Sequence, residues 1–433
     1  MTVIPKLAEQ PMENPRICCV CATAQSEFTC PCQRAFYCGL NCQTAHWTKH
    51  KKQCVVDLTK KMKVLRNVHG KDHARVGEAH AKIGDVEERH GRHLAAEKCY
   101  KEVLRINQLT HGDTHLSMAN ACISLGNLYN SLGNYGQALE LHHTGLRINS
   151  HILGERHESI AVSLLNIANI YKAQGHVHRA IEQASKALEI QREAWGGDHQ
   201  HVAAALTNLG NLYNLLGDTA KAVEMTSACI DMMRRVTTLG DDDDDHSLLA
   251  NSLSCLACIH MERGFVDEAW PLCEQALVIF RRVHGDKHGT VAMVLHNMAG
   301  MHSFRGEFDK ALMMHKTNIK RIRRALGNNH QDVAHSLLAI ARVYMGQGKK
   351  VKALARYDEA IHILIRAVGS DHGGVALAHY SRARCQREMG HPEAALESCR
   401  EAHRIYTQLD VDISHNARQK VEKLLGVLEA LVS

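Results

Sequence analysis

Half of the cysteines in this sequence lie close together near its N-terminus, in a pattern typical of metal binding. Eight of the 16 cysteines lie between Cys18 and Cys54, and His50 lies among them. With Cys19 set aside, seven cysteines and one histidine remain, enough for two tetrahedral zinc sites. Thiolate and imidazole are the ligands that structural zinc prefers, and closely spaced pairs keep the chelate loops short. The sequence therefore predicts two structural Zn²⁺ ions.

The predicted zinc sites are structural rather than catalytic. Each site would have four protein ligands, so no coordination position stays open for a water molecule or a substrate. A segment of about 40 residues with few large aliphatic side chains cannot form a stable apolar core by itself. We therefore expect zinc to supply the folding free energy of this segment, about 10 kcal/mol for each structural ion.

The same segment resembles a known zinc-finger family. Residues 37–54 follow the pattern YC-x3-CQ-x3-W-x2-H-x3-C after an early Cys-x-x-Cys, and this pattern resembles the MYND finger. The resemblance implies an interleaved ligand set, with one zinc on Cys18, Cys21, Cys38 and Cys42 and the other on Cys30, Cys32, His50 and Cys54. The second pair is Cys-x-Cys where the family has Cys-x-x-Cys, so Cys19 and His46 remain alternative ligands.

The resemblance also implies a partner for the finger. MYND fingers bind short proline-rich peptides, and the glutamine and tryptophan of the family's groove correspond to Gln43 and Trp47. An indole face suits packing against proline, and an amide side chain can hold a peptide backbone. The alternative is that Trp47 packs only against the small helix of the finger.

The rest of the chain is one repeated unit. A Gly-x-x-His motif recurs seven times and an eighth copy, Gly240 to His246, is stretched by an aspartate run; the histidines are 42 residues apart except for one gap of 47. Glycine follows each histidine by 18 residues, and alanine follows that glycine by five. Proline is absent between Cys32 and Trp270, which favours uninterrupted helices. Each copy therefore predicts a helix, a turn that contains glycine, and a second helix.

The repeats resemble tetratricopeptide repeats, in the long form found in kinesin light chains. Segments such as SLLNIANIY at Ser163–Tyr171 and ALTNLGNLY at Ala205–Tyr213 are similar to that form. The resemblance implies an all-α fold, a right-handed α-solenoid of eight repeats. We expect a flexible N-terminus at 1–17, the finger at 18–54, a connecting helix at 55–68, the repeats at 69–411 and a capping helix at 412–433.

A concave groove is expected on the first helices of the repeats. Helical spacing puts residues nine and twelve positions after each repeat histidine on one face. An asparagine offers a donor and an acceptor together, so a row of asparagines can hold an extended peptide. The alternative is that these polar residues only solvate an exposed face. The predicted groove residues are Asn127, Asn166, Asn169, Asn208, Asn211, Asn297, Arg342 and Arg384.

Resemblance to kinesin light chains implies peptide capture by Asn166, Asn208 and Asn297. The clamp with which other tetratricopeptide repeats bind C-terminal carboxylates is not expected, because its positions hold Ile123, Leu165 and Thr207.

Three other features have structural interpretations. The eight repeat histidines are expected to cap helices or pack in loops, since they do not converge on one metal site. The Asp241–Asp245 run lacks the spacing and glycine of a calcium loop and predicts a solvated insertion. Lys49–Arg66 holds seven basic residues and one acid, which suits either a solvated helix face or contact with nucleic acid or acidic partners.

These observations predict an adaptor rather than an enzyme. Two recognition modules are present, and no nucleophile–base motif or glycine-rich cofactor loop accompanies them. We expect protein or peptide partners, no small-molecule substrate, no membrane and no nucleic acid, in the cytoplasm or also in the nucleus. One alternative is a cargo adaptor like kinesin light chain, without its heptad coiled coil. Another is a relative of the MYND-containing lysine methyltransferases, in which no SET domain would fit.

Overall fold

The computed structural model of the chain describes residues 28–29, 36–37, 40–89, 91–239, 243–286, 288–409, 411–412 and 416–432. In this part, eighteen helices and one antiparallel pair of short strands are present. The elements are β1 (Phe28–Thr29), β2 (Phe36–Tyr37), α1 (Leu40–His69), α2 (Ala74–Arg89), α3 (His93–His111), α4 (Leu116–Ser131), α5 (Tyr135–Leu153), α6 (Glu158–Gln174), α7 (Val177–Trp195), α8 (Gln200–Leu216), α9 (Thr219–Leu239), α10 (Asp243–Glu262), α11 (Val266–His284), α12 (Gly289–Phe304), α13 (Phe308–Leu326), α14 (Gln331–Gly346), α15 (Lys350–Val368), α16 (Gly373–Glu388), α17 (Pro392–Gln408) and α18 (Asn416–Val432).

The helices from α2 to α17 form eight consecutive packed pairs, and each pair is one repeat of the sequence. The predicted all-α solenoid of eight repeats is confirmed. At the ends, α1 packs on α2, and α18 packs on α17 with Val421, Leu424 and Leu428 buried. Among the described helices, none combines the length and the apolar character that crossing a lipid bilayer would need.

Glycine ends the first helix of a repeat because the chain needs a positive φ there. Gly175 and Gly217 follow α6 and α8 with φ of 87° and ψ of 0°, in the left-handed region. A side chain in this conformation clashes with the backbone, whereas glycine has no Cβ. The glycine that lies 18 residues after each repeat histidine has a positive φ in all eight repeats, at Gly91, Gly133, Gly175, Gly217, Gly264, Gly306, Gly348 and Gly390.

The repeat histidines cap the first helices, which confirms their predicted structural role. In repeat 2, the Ser117 backbone N–H donates to His115 Nδ1 at 3.1 Å. The ring also packs on the end of the preceding helix where that residue is aromatic: Trp195 and His199 stack with centroids 4.3 Å apart. The same cap, from the second residue after the histidine to its Nδ1, is made by His73, His115, His157, His199, His288, His330 and His372.

The eighth histidine, His246, lies inside a helix instead. Helix α10 begins at Asp243, so three of the aspartates form its first residues, and 240–242 lie outside the described residues. The prediction of a solvated loop insertion is therefore wrong for residues 243–245. Carboxylates are stabilised at a helix N-terminus because unpaired backbone N–H groups and the helix dipole are positive there. This favours starting the helix within the acidic run rather than after it.

The superhelix brings distant repeats into contact. The Asp412 backbone N–H donates to Gln174 O at 2.8 Å, and the Asp412 carboxylate lies 3.1 Å from His176 Nδ1. These contacts join the end of repeat 8 to repeat 3. Gly133 in repeat 2 lies beside Leu409, where an added Cβ would come within 3.3 Å of the leucine side chain. The last repeat therefore contacts repeats 2 and 3 of the same chain.

Helix α1 is longer than the connecting helix expected at 55–68, because it begins at Leu40. Asp57 and Leu58 are buried, while Lys60, Lys61 and Lys63 are exposed. The described part of the basic Lys49–Arg66 segment thus presents a solvated lysine face and buries the opposite side.

Candidate functional site

The first helices of the repeats form a continuous surface. Neighbouring first helices contact one another directly, in the order α4, α6, α8, α10, α12 and α14. The layer whose members touch is the concave layer of a curved array of helical pairs. We call the surface of these six helices the inner face. It is the part of the molecule on which most of the predicted groove residues lie.

The predicted asparagines occupy four of the six helices of the inner face. Asn127 is exposed on α4, and the five others on α6, α8 and α12 are partly exposed. Some already have partners: the Lys172 ammonium donates to Asn169 Oδ1 at 3.0 Å, and the Asn211 amide donates to Cys255 Sγ at 3.6 Å. Arg342 on α14 is exposed, as is Arg384, which lies on α16 beyond the inner face as defined.

Two cysteines continue the row of asparagines across α10. Cys255 and Cys258 stand nine and twelve residues after His246, where repeat 4 has Asn208 and Asn211 and repeat 6 has Asn297 at the first of the two positions. The Asn297 amide donates to Cys258 Sγ at 3.2 Å, just as Asn211 donates to Cys255. The thiols therefore link the asparagines of α8 to that of α12 and make one polar row along the inner face.

Two cavities lie along the seam between α12 and α14. The first, of about 390 Å³, is lined by Asn297, His315, Arg342 and the exposed ring of Phe304. The second, of about 470 Å³, is lined by residues such as Met293, Asn318 and His335. His296 lines both cavities. At this seam the inner face is deep enough to receive a side chain.

Two buried polar atoms at this seam have no hydrogen-bond partner within the part of the chain that the structure describes. They are Asn318 Oδ1 and His315 Nδ1, and each of these side chains is only 2% exposed. The Asn318 amide N–H donates to Ala292 O at 2.8 Å, which orients the side chain and leaves its oxygen as an acceptor. A buried acceptor without a donor costs about 1–3 kcal/mol.

The imidazoles at the seam are uncharged at neutral pH. Burial lowers the pKa of His296 to about 4, and the nearby Arg342 and His335 contribute in the same direction. Burial lowers the pKa of His315 to about 3, again with His296 and Arg342 adding to the effect. The two rings meet edge to face with centroids 5.1 Å apart. The seam therefore offers neutral donors and acceptors beside one guanidinium.

Sequence reasoning missed several residues of this site. His296 occupies the same repeat position as Ile123, Leu165 and Thr207, the residues that argue against a carboxylate clamp. The appearance of an imidazole at that position in repeat 6, after Thr207 in repeat 4 and Ser254 in repeat 5, was a usable signal. His315 and Asn318 lie on the second helix α13, and periodicity carried no sign that they reach a cavity of the inner face.

The thiols of the eight cysteines in the repeats are protonated at neutral pH, because burial raises the pKa of each one. Burial raises the pKa of Cys258 to about 12 and that of Cys273 to about 11. Cys229 Sγ lies 3.0 Å from Ser252 Oγ and 3.3 Å from Thr207 Oγ1, and burial raises the pKa of this thiol as well. A thiol reacts as its thiolate, so these cysteines act as packing and hydrogen-bonding groups.

The predicted finger site lies mostly outside the described residues. Cys18, Cys21, Cys30, Cys32 and Cys38 are outside them entirely. Five further positions of the finger lie on the backbone of α1, but their side chains are not among the described ones: Cys42, Gln43, Trp47, His50 and Cys54.

Comparison with sequence profiles of protein families gives two kinds of match. A profile described as the MYND finger matches residues 18–54. Tetratricopeptide repeat profiles match 75–149, 116–193 and 333–373, and the profile of the MalT-like TPR region matches 168–350. The chain thus carries a MYND finger followed by tetratricopeptide repeats, as its motifs predicted. A comparison with curated proteins gave no match.

Solved structures similar to the chain include other helical repeat proteins. BtubC (BKLC) from P. vanneervenii is 21% identical over 57% of this chain and 92% of its own, with a TM-score of 0.44. A protein described as a kinesin light chain with nearly identical TPR-like repeats, from Podosopora anserina, is 22% identical over 48% and 97%, with a TM-score of 0.41. A Rap protein in complex with competence and sporulation factor is 13% identical over 83% and 99%, with a TM-score of 0.49.

Proposed function

We propose that this chain, a MYND finger followed by tetratricopeptide repeats, is a non-enzymatic adaptor that brings two protein partners together. The finger would bind one partner through a short peptide, proline-rich in the family it resembles, with Gln43 and Trp47 in contact with it. The inner face would bind an extended segment of the other partner. The observation that carries the proposal is the polar row of the inner face, which leads into a seam with two cavities.

An extended peptide suits the inner face for a physical reason. Its backbone presents N–H and C=O groups at regular intervals, and asparagine can pair with both. Asn166, Asn208 and Asn297 lie on three first helices, so the segment would cross several repeats. At the seam, the cavities beside His296 have room for side chains. Arg342 and Arg384 would extend the contact toward repeat 8.

We expect the triple substitution Asn166→Ala/Asn208→Ala/Asn297→Ala to weaken peptide binding at least about 10-fold. Each lost hydrogen bond costs about 0.5–1.5 kcal/mol, and about 1.4 kcal/mol is a factor of ten in affinity. Peptides selected on the wild-type chain from a display library are measured by fluorescence anisotropy. The control is Asn328→Ala/Asn329→Ala/Asn416→Ala, which removes three exposed amides outside the inner face. Equal affinities of the triple variant and the wild type would rule out the asparagine row.

The finger is proposed to hold two Zn²⁺ ions with the interleaved ligand set. The path of α1 supports this division, because Cys42 and His50 are eight residues apart in one helix. At 1.5 Å per residue they are about 12 Å apart along the axis, too far to bind one ion. His50 and Cys54 are one turn apart, which suits a shared ion. The sites are closed by four protein ligands, so zinc would act by stabilising the fold.

We expect native mass spectrometry of the full chain to find two zinc ions, and Cys38→Ser/Cys42→Ser to retain one. Both substituted ligands belong to the same ion in the interleaved set, so the other site keeps all four. The controls Cys19→Ser and His46→Ala are expected to keep both ions. A variant that keeps two ions without Cys38 and Cys42, or a control that loses one, would contradict the ligand set.

The compartments we propose are the cytoplasm and the nucleus. The eight cysteines of the repeats, from Cys99 to Cys399, are all free thiols. Reduced thiols are typical of compartments where glutathione and thioredoxin act. This supports an adaptor that works in a reducing environment.

A further inference from the structure

A second recessed surface lies on the other layer of the solenoid. It is a cleft of about 590 Å³ between the second helices α13 and α15, with α14 forming its floor. We call it the outer basic cleft. Five cationic side chains line it: Lys316, Lys320, Arg323, Lys352 and Arg356. The asparagine row of the inner face contributes none of its residues.

The floor of the outer basic cleft is apolar. Ile319, Leu337 and Ile340 line it and are each at most 5% exposed, and Tyr344 lies beside them. At the rim, the Val351 side chain is 73% exposed. An apolar group that entered the cleft would cover Val351 and contact the floor, and each Å² of apolar surface removed from water contributes about 25 cal/mol. The cleft therefore combines an apolar anchor site with a cationic rim.

The positive charge belongs to this cleft and does not follow from the repeat. The positions that line it hold other residues in the neighbouring repeats, although the helices pack in the same way. One repeat earlier, the positions equivalent to the five cations hold two cations and one acid: Glu274, Val278, Arg281, Lys310 and Met314. One repeat later, they hold one acid and no lysine or arginine: Asp358, His362, Ile365, Ala394 and Ser398.

Nearby carboxylates neutralise only part of this charge. Glu359 accepts from Arg323 at 3.0 Å and also pairs with Arg356. Five cations against this one carboxylate leave four positive charges. Lys316, Lys320 and Lys352 are exposed, and no acidic residue is among those that line the cleft in the described part of the chain. Like charges held this close repel one another, and an anionic partner would relieve the repulsion.

We propose that the outer basic cleft binds an acidic peptide segment of a partner protein through one large apolar side chain. The apolar residue would enter between α13 and α15, and flanking carboxylates would pair with the lysines of the rim. A groove between two packed helices is a common site for such a segment. A bilayer surface cannot reach a floor recessed between helices. A nucleic acid backbone would satisfy the cations but would not use the aliphatic floor.

The test uses the full chain and a fluorescein-labelled synthetic peptide of glutamates around one tryptophan, followed by anisotropy. We expect Lys320→Glu/Lys352→Glu to weaken binding at least about 10-fold, since two attractions become repulsions. Ala355→Trp, which fills the cleft without a change of charge, is expected to weaken it similarly. The control Lys82→Glu/Lys98→Glu makes the same charge change on α2 and α3, at exposed positions, and should bind like the wild type. Circular dichroism verifies that each variant is folded.

Three outcomes would overturn the proposal. The first is wild-type affinity in both cleft variants. The second is equal binding of a peptide in which serine replaces the tryptophan, since the apolar floor would then be unused. The third is binding of anionic phospholipid vesicles that depends on Lys320 and Lys352 and that the peptide does not compete for. The Asn166→Ala/Asn208→Ala/Asn297→Ala variant is expected to bind this peptide normally, which separates the cleft from the inner face.

Discussion

Replacing Gly84 with alanine is expected to lower the free energy of unfolding by about 1–2 kcal/mol, because overpacking a well-filled core costs about 1–3 kcal/mol and the helix propensity of alanine recovers part of it. A Cβ at Gly84 would lie 2.7 Å from Tyr100 Cε1, closer than carbon atoms can approach. The ring cannot easily move away, because the Tyr100 hydroxyl lies 2.8 Å from Asp85 Oδ1 and 2.9 Å from Glu88 Oε2. Alanine is more favourable than glycine in a helix by about 1 kcal/mol, which offsets only part of the cost of the clash.

The matched control is Gly426→Ala in α18. No atom lies within 4 Å of a Cβ added there, so only the gain in helix propensity remains, and stability should rise by about 0.5–1 kcal/mol. Denaturant midpoints followed by circular dichroism would compare the two variants. If Gly84→Ala is as stable as the wild type, the contact does not limit packing.

A double variant tests the same contact independently. Repeat 3 has Ala168 and Ala184 at the two positions that Gly84 and Tyr100 occupy in repeat 1. Gly84→Ala/Tyr100→Ala copies that pair and removes the clashing ring. We expect its loss of stability to be smaller than the sum of the two single losses, which is the sign of direct contact. If the two single losses simply add up, the cost of Gly84→Ala does not come from its contact with Tyr100.

Acidification from pH 7 to pH 5 is expected to destabilise the solenoid by several kcal/mol. Burial lowers the pKa of His142, His296 and His379 to about 4 and that of His315 to about 3, from an ordinary value of 6.5. Below pH 6.5 the unfolded chain binds protons that the folded chain does not, so stability falls as pH falls toward the folded pKa values. Each such group costs at most about 1.4 kcal/mol per pH unit in this window.

Two of the capping histidines, His288 and His372, act in the same direction. Their Nδ1 atoms accept backbone N–H groups and are the atoms that a proton would occupy. Burial lowers the pKa of His288 and of His372, which is the shift that a cap made by the neutral ring requires. In the folded chain, protonation would turn an acceptor into a donor facing another donor.

Denaturant midpoints between pH 7.5 and about 4.5 would measure this loss. The control is His142→Leu, because both His142 nitrogens are buried and unpartnered within the described residues. This variant should be more stable than the wild type by about 1 kcal/mol at pH 7, and its stability should depend less on pH. A pH profile that is flat in the wild type, or identical in the variant, would contradict the titration of these rings.

The sequence alone determined the finger segment and the repeats. Motif spacing identified the MYND finger, and the recurrence of His, Gly and Ala predicted eight pairs of helices. These features were readable because each depends on neighbours within one repeat. Gly175 must take a positive φ at its own turn, and His115 caps the helix that follows it directly. The start of α10 inside the aspartate run was the exception, since the repeat pattern predicted a loop there and local electrostatics favoured a helix.

The tertiary structure alone decided which repeats meet and where cavities form. The contact of Asp412 with Gln174 depends on small rotations between successive repeats, which add up along the array and leave no local mark on the sequence. The seam at His296 needs side chains from two helix layers, with His315 reaching it from α13. The outer basic cleft likewise exists only because α13 and α15 lie side by side with their cations facing one gap. Contacts between residues far apart along the chain set these sites, so periodicity predicted the helices and only packing created the surfaces that we propose as binding sites.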